Sequence, residues 1–274
     1  RDQIETIIND PRVQGVALTG SEGAGALVAA QAGRALKKST MELGGSDAFI
    51  VLDDADLDKA VKWAVFGRHW NGGQVCCSSK RIIVHESIHD EFVRRYTEGV
   101  AQLKAGDPME ASTTLAPLSS QQAADDVRRW IDEAVAHGAT ATVIGAEVPR
   151  QGAFVRPVLL TGVKPGNPVY HHEFFGPVSM IFKVKDEDEA IRLANDSPFG
   201  LGGSVFTQDI ERGKRVAAQI STGMVYINHP TAVKADLPFG GVRRSGYGRE
   251  LIGLGLKEFV NHKLVGVTDI DGAF

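Results

Sequence analysis

Cys76 is the residue best placed to do covalent chemistry. It lies in the run Asn71-Gly72-Gly73-Gln74-Val75-Cys76-Cys77, which holds both cysteines of the 274-residue sequence. A thiolate presented on a turn attacks carbonyl carbon. The glycines ahead of it give the backbone the freedom such a turn needs. The same pair also reads as buried structural thiols, a common fate of cysteine. Two carboxylates stand in comparable runs. Glu42 lies in Met41-Glu42-Leu43-Gly44-Gly45. A carboxylate between apolar neighbours is either an edge-strand group pointing to water or a general base whose pKa is raised by burial. Glu173 lies in His171-His172-Glu173-Phe174-Phe175-Gly176-Pro177. Adjacent histidines in an extended segment point to opposite sides, so this run does not define a metal site. Phe175, taken alone, reads as core.

These groups must be positioned by regular elements. Gly15 to Thr19 is a short apolar strand, and residues 24–37 read as a helix. Between them stands Gly20-Ser21-Glu22-Gly23-Ala24-Gly25. It is either a plain tight turn or a helix start whose N–H groups face a phosphate. Its spacing is not the usual dinucleotide fingerprint. Ser39 to Leu43 reads as a strand, and Ala48 to Leu52 as one covered on both faces. The acidic start at Asp53-Asp54-Ala55-Asp56 complements a helix dipole and needs no metal; that helix runs to about Trp70. Further strands are expected at 82–85, 177–184, 203–206 and 223–227. Helices are expected at 88–104, 119–137, 187–195 and 209–220. Alternation of this kind predicts an α/β fold with a mostly parallel sheet. Residues 257–268 hold strand-like runs after a short helix, the pattern of a terminal strand that pairs with another subunit.

Composition narrows the partners. Apolar residues make up 43% and charged residues 23% of an ordinary globular mixture, with a formal charge of −4. There is no basic footprint for nucleic acid and no apolar run long enough for a bilayer. Two adjacent cysteines form no disulfide framework, which favours a reducing, cytoplasmic setting. The sequence opens on Arg1 without an initiator Met, so a processed or truncated N-terminus is expected.

The order of these motifs resembles the NAD(P)-dependent aldehyde dehydrogenase superfamily, and within it the bacterial succinate-semialdehyde dehydrogenases. The resemblance rests on Met41 to Gly45, the acidic helix start at Asp54 to Asp58, and Asn71 to Cys76. It continues with Glu173 to Pro177, Asn195 to Leu201, Pro238 to Gly241 and Ser245 to Glu250, and spans essentially the whole chain. Cys76 follows Glu42 by 34 residues, as the family pattern expects. The resemblance implies Cys76 as nucleophile, its backbone N–H as part of an oxyanion hole, and Glu42 as the base that activates water. It implies that Glu173 holds the ribose on the nicotinamide side of NAD or NADP, that Phe175 packs by the nicotinamide, and that Gly20, Ser21, Leu43 and Gly44 complete the cofactor side. Trp70, Arg68, Val75, Cys77, Lys234 and Phe239 are placed around the aldehyde. Cys77, one place past the motif, is a packing or redox neighbour, so limiting alkylation is expected to label Cys76 first.

Family members are nearly twice this length. The resemblance therefore implies an incomplete, Rossmann-like cofactor-domain remnant over 1–44, a catalytic domain over 45–244, and a C-terminal helix and oligomerisation strand over 245–274. On that reading the chain is a fragment with little activity alone, its parent a dimer or tetramer. Members with a marked carboxylate pocket carry Arg six places before the nucleophile, where this sequence has Trp70. Arg68 or Lys234 is then the candidate cation for a semialdehyde, with an aromatic or aliphatic aldehyde as the alternative substrate. A coenzyme A-acylating enzyme and a non-catalytic structural protein are the rival readings, and Glu42 argues against the first.

Overall fold

Runs of β-branched residues bounded by glycine and acidic turns set the strands of the larger sheet. The computed structural model describes residues 2–272. In chain order the elements are α1 (Asp2–Asn9), β1 (Gly15–Thr19), α2 (Glu22–Arg34), β2 (Lys38–Glu42), β3 (Ala48–Val51), α3 (Leu57–His69), β4 (Arg81–His85) and α4 (Glu86–Ala101). They continue as α5 (Gln121–Ala136), β5 (Thr140–Val143), β6 (Val158–Thr161), β7 (Val178–Val184), α6 (Glu187–Asn195), β8 (Phe199–Gly200) and β9 (Gly203–Phe206). The last are α7 (Ile210–Ala217), β10 (Tyr226–Ile227), β11 (Val242–Arg243), β12 (Gly246–Tyr247) and α8 (Ile252–Lys257).

Seven strands form one sheet in the order β10-β9-β3-β4-β7-β6-β5. All neighbours are parallel except β5 and β6. Side-chain alternation divides its core into two layers. Phe49, Val51, Ile82, Val84 and Ile181 pack with α3 and α4, while Ile50, Ile83, Met180 and Phe182 pack with α5, α6 and α7. Aspartate or serine side chains cap α2, α3, α5, α6 and α7 at their N-termini. These bonds satisfy N–H groups that have no partner within the helix.

A smaller sheet, β1-β2-β12, lies beside the large one. β1 and β2 pair in parallel, and β12 returns antiparallel, setting Gly246 against Glu42. A third pair joins β11 to β8.

Three expectations need correction. Residues 258–269 form no strand among the described residues. A strand needs a neighbour for its backbone, and Leu264, Val265 and Val267 stand in water. The strand expected at 223–227 narrows to Tyr226–Ile227, because Gly223 bonds instead to Gly200. Five short strands, β5, β6, β8, β11 and β12, and helix α1 occupy stretches where the sequence pattern gave no element.

Candidate active site

The C-terminal ends of β1 and β2, the turn after α3 and the loop before β7 meet at a cavity of about 730 Å³. Thr19, Gly20, Ser21, Glu42, Leu43 and Gly44 line it from the small sheet. Trp70, Asn71, Gln74, Val75, Cys76, Glu173 and Phe175 line it from the other side. Both expected catalytic residues, all six expected cofactor residues, and Trp70 and Val75 therefore share one space.

Cys76 sits at the end of a left-handed excursion. Asn71, Gly72 and Gly73 have φ of 51°, 64° and 78°, which reverses the chain after α3. Asparagine tolerates this conformation. At Gly73 a side chain is also excluded by space, since a Cβ would stand 2.5 Å from the Gly176 oxygen. Gln74 then clamps the turn: its Nε2 donates to the Asn71 oxygen at 3.1 Å and its Oε1 accepts from Ser119 N–H at 2.8 Å. Ser78 N–H donates to the Val75 oxygen at 3.2 Å, closing a turn around Cys76. A bond from the Cys77 thiol and the nearby Lys80 ammonium hold the Cys76 thiol below its ordinary pKa, against the opposing effect of burial. Cys77 moves the opposite way, pushed up by Cys76 and by burial.

Glu42 ends β2 with only 3% of its surface exposed. Neither carboxylate oxygen has a hydrogen-bond partner. Burial raises its pKa to about 8, with Glu250 and Cys76 adding repulsion and Arg249 partly offsetting it. Glu42 is thus not the edge-strand group pointing to water, since β12 covers it. A carboxyl poised near neutrality can both take and return a proton.

Glu173 is fixed from beneath. Its Oε1 accepts from Gly45 N–H at 2.9 Å and pairs with Lys80 Nζ at 3.2 Å. Its Oε2 lies over Gly44, where a Cβ would stand 2.1 Å away. Gly44 is therefore bare because the carboxylate occupies the place of a side chain. Lys80, which sequence reasoning missed, is fully buried and also donates to the Val75 and Cys76 oxygens at 2.7 and 2.8 Å. Its nitrogen lies 5.9 Å from the centre of the Phe175 ring. The only available signal was its place four residues past Cys76, and a lysine beside an arginine ordinarily reads as surface charge.

Other expected pocket residues lie elsewhere. Arg68 has no exposed surface. It donates to the oxygens of Val178, Gly73, Phe174 and Gly176 and to Ser78 Oγ. A guanidinium enclosed in this way ties the Cys76 turn to the start of β7, so it is not a cation for substrate. Cys77 is buried and does not line the cavity; with Leu201 and Phe239 it forms a small apolar cluster against which Trp70, Val75 and Cys76 pack. Lys234 is on an exposed loop and does not line the cavity. Asp47 was also missed. It is buried, accepts from Gly202 N–H and Thr231 Oγ1, and has its pKa raised by burial to about 6.

Residues 1–265 match the Aldehyde dehydrogenase family, and the chain belongs to that family. It is 54% identical over 262 residues to the succinate-semialdehyde dehydrogenase [NADP(+)] of Deinococcus radiodurans, covering 96% of this chain and 55% of that protein. The Mycobacterium avium enzyme of the same name is 45% identical over 262 residues, again covering 96% of this chain, and 56% of that protein. The Streptococcus pyogenes succinic semialdehyde dehydrogenase, solved with NADP+, superposes with a TM-score of 0.95 at 50% identity, covering 98% of this chain and 59% of that one. The chain thus spans a little over half the length of the relatives it matches.

Proposed function

We propose that this chain carries the nucleophile, the base and the nicotinamide-side contacts of an NADP-linked dehydrogenase that oxidises succinate semialdehyde to the acid. The observation that carries this reading is the convergence of Cys76, Glu42, Glu173 and Phe175 on one cavity. The substrate and the preference for NADP over NAD follow the names of the relatives. Division into a cofactor-side unit over 1–44, a catalytic unit over 45–244 and a returning segment over 245–274 is part of the same proposal. So is pairing of the exposed apolar run beyond α8 with a second copy. Turnover is expected of the full-length protein rather than of this stretch by itself.

The residues fit a dinucleotide. Ser21 opens the 13-residue helix α2, whose N-terminus suits a pyrophosphate. Glu173 Oε2 offers an acceptor to ribose hydroxyls above the bare Gly44 backbone. Phe175 offers an exposed ring. When bound, the dinucleotide supplies the acceptor for the hydride released from the thiol adduct. The Cys76 thiolate adds to the aldehyde carbon, forming a C–S bond and an alkoxide that the Cys76 N–H stabilises. Once oxidation has produced the thioester, Glu42 takes a proton from water as the water attacks. Carboxylic acid leaves and Cys76 is restored. None of the described residues lining the cavity is cationic, so this reading assigns the far carboxylate of the substrate to a cation outside that lining. Glu42 disfavours acyl transfer to coenzyme A, since a water-activating base hydrolyses the thioester first.

Acylation with p-nitrophenyl acetate tests the covalent half directly. An acetyl group is expected on Cys76 by mass spectrometry and is absent from Cys76→Ala. Loss of the acetyl group should slow by about a hundredfold in Glu42→Gln. Label on Cys77, or an acetyl lifetime indifferent to Glu42→Gln, overturns the assignment.

A further inference from the structure

We propose that Lys80 is a positioning residue, a buried ammonium that sets both peptide planes flanking Cys76 and ties them to Glu173. The proposal rests on the reading of Cys76 as nucleophile and adds a component to that machinery. Lys80 Nζ is surrounded by three acceptors: the Val75 oxygen at 2.7 Å, the Cys76 oxygen at 2.8 Å and Glu173 Oε1 at 3.2 Å. An ammonium has three N–H donors and a neutral amine only two. The cage therefore fits the charged form, although burial pulls the Lys80 pKa downward.

The first two bonds have a specific consequence. The Val75 oxygen and the Cys76 N–H belong to one rigid peptide plane. A charged donor on that oxygen fixes the direction of the N–H and polarises it, since linked hydrogen bonds strengthen one another. The bond to the Cys76 oxygen fixes the plane on the other side. The nucleophile is thus held through both of its peptides by one cation. The third bond places the Glu173 carboxylate on the same nitrogen, so the thiol turn and the cofactor-side carboxylate share one anchor.

Several charges act on the thiolate here. Lys80 attracts it, and Asp47 and Glu42 oppose it. Cys77 donates to it, while Glu173 and Arg68 act on Lys80 itself. Removing the ammonium leaves a set dominated by anions. Removing the Glu173 charge leaves the ammonium uncompensated. The two changes must therefore shift the thiol in opposite directions.

The test is the pH profile of Cys76 alkylation by iodoacetamide, followed by mass spectrometry on the chain as it stands, with folding checked by circular dichroism. Lys80→Met is expected to move the midpoint up by about one pH unit and slow alkylation at neutral pH roughly tenfold. Glu173→Gln is expected to move the midpoint down. A folded Lys80→Met chain with an unchanged midpoint overturns the proposal. If Lys80→Met does not fold, the Glu173→Gln profile decides alone, and a midpoint that stays or rises overturns it. A wild-type chain labelled first on Cys77 refutes the nucleophile reading instead, so the two failures are distinguishable.

Discussion

On the side of the seven-stranded sheet, Arg68 and Lys80 are as buried as Phe49, and both are enclosed by oxygen acceptors. On the side of the three-stranded sheet, Glu42 is almost as buried, and neither of its oxygens has a partner. The first arrangement compensates buried charge and makes a stiff support for Cys76. The second leaves the carboxyl without hydrogen-bond partners, so it keeps its proton near neutral pH. A nucleophile needs a fixed direction, whereas a general base needs a pKa near the working pH. The difference in packing between the two regions matches the difference between the tasks proposed for Cys76 and Glu42.

The sharpest way to break the comparison is to remove the support. Arg68→Met takes the guanidinium donor from the oxygens of Val178, Gly73 and Phe174 and from Ser78 Oγ, while the Gly176 oxygen keeps its bond from Val178 N–H. Stranded buried acceptors cost far more than an average hydrogen bond contributes, so a loss of about 3 kcal/mol or more is expected. Urea denaturation measures it. A loss below about 1 kcal/mol would mean that the turn rearranges freely and that the support is not stiff.

Glu42 gives the next largest effect, of opposite character. Its pKa is about 8 in the folded chain against an ordinary 4.5. Above 4.5 the unfolded chain releases this proton while the folded chain keeps it, so stability falls as pH rises to about 8 and is level beyond. Between pH 6 and 8 this fall is expected to be about 2 kcal/mol. Asp47, raised to about 6 from 3.8, contributes a fall of the same sign in the lower window. Glu42→Gln should abolish the fall between 6 and 8, keep the part due to Asp47, and exceed wild type in stability at pH 8. Denaturation midpoints across this range check it, and a variant that tracks wild type would show that Glu42 finds compensation in solution.

Much of this site was legible from motif order, because turns that bend the chain and residues that react are local properties. Glycines at 72 and 73 announced the reversal before Cys76, whereas the close approach of another group to Gly44-Gly45 emerges only in the structure. That group is Glu173, from a loop 128 residues away; its own motif marked it as a site residue, but no local pattern places it against these glycines. Charged residues were misread for the same reason. Arg68 and Lys80 carry no sign in their neighbours that carbonyls from β7 and the Cys76 turn will enclose them, so Arg68 was expected at the substrate and Lys80 was passed over. The sheet was legible where strands are buried on both faces, as at Ala48–Val51. It was not where the strand is only two residues long, as at Tyr226–Ile227, or where apolar runs form no strand, as beyond Lys257.

The smallest expected effect sharpens the boundary between the two regions. Ser21 Oγ accepts from Ala24 N–H at 3.3 Å and caps α2, which packs on the small sheet. The bond is long, so Ser21→Ala should cost about 1 kcal/mol or less. Leu27 on this helix is exposed, and its only buried residues are Gly25 and Ala32, so little packing spreads the loss to the large sheet. Amide hydrogen exchange at Ala24 and Gly25 is therefore expected to speed up by up to roughly fivefold. Amides of Ile83 and Phe182, in the centre of the large sheet, should keep their rates. Equal acceleration at both places would show that the two sheets open as one cooperative unit. In that case the unpartnered Glu42 and the enclosed Lys80 would belong to a single elastic body, and the division of tasks between stiff support and strained base would fail.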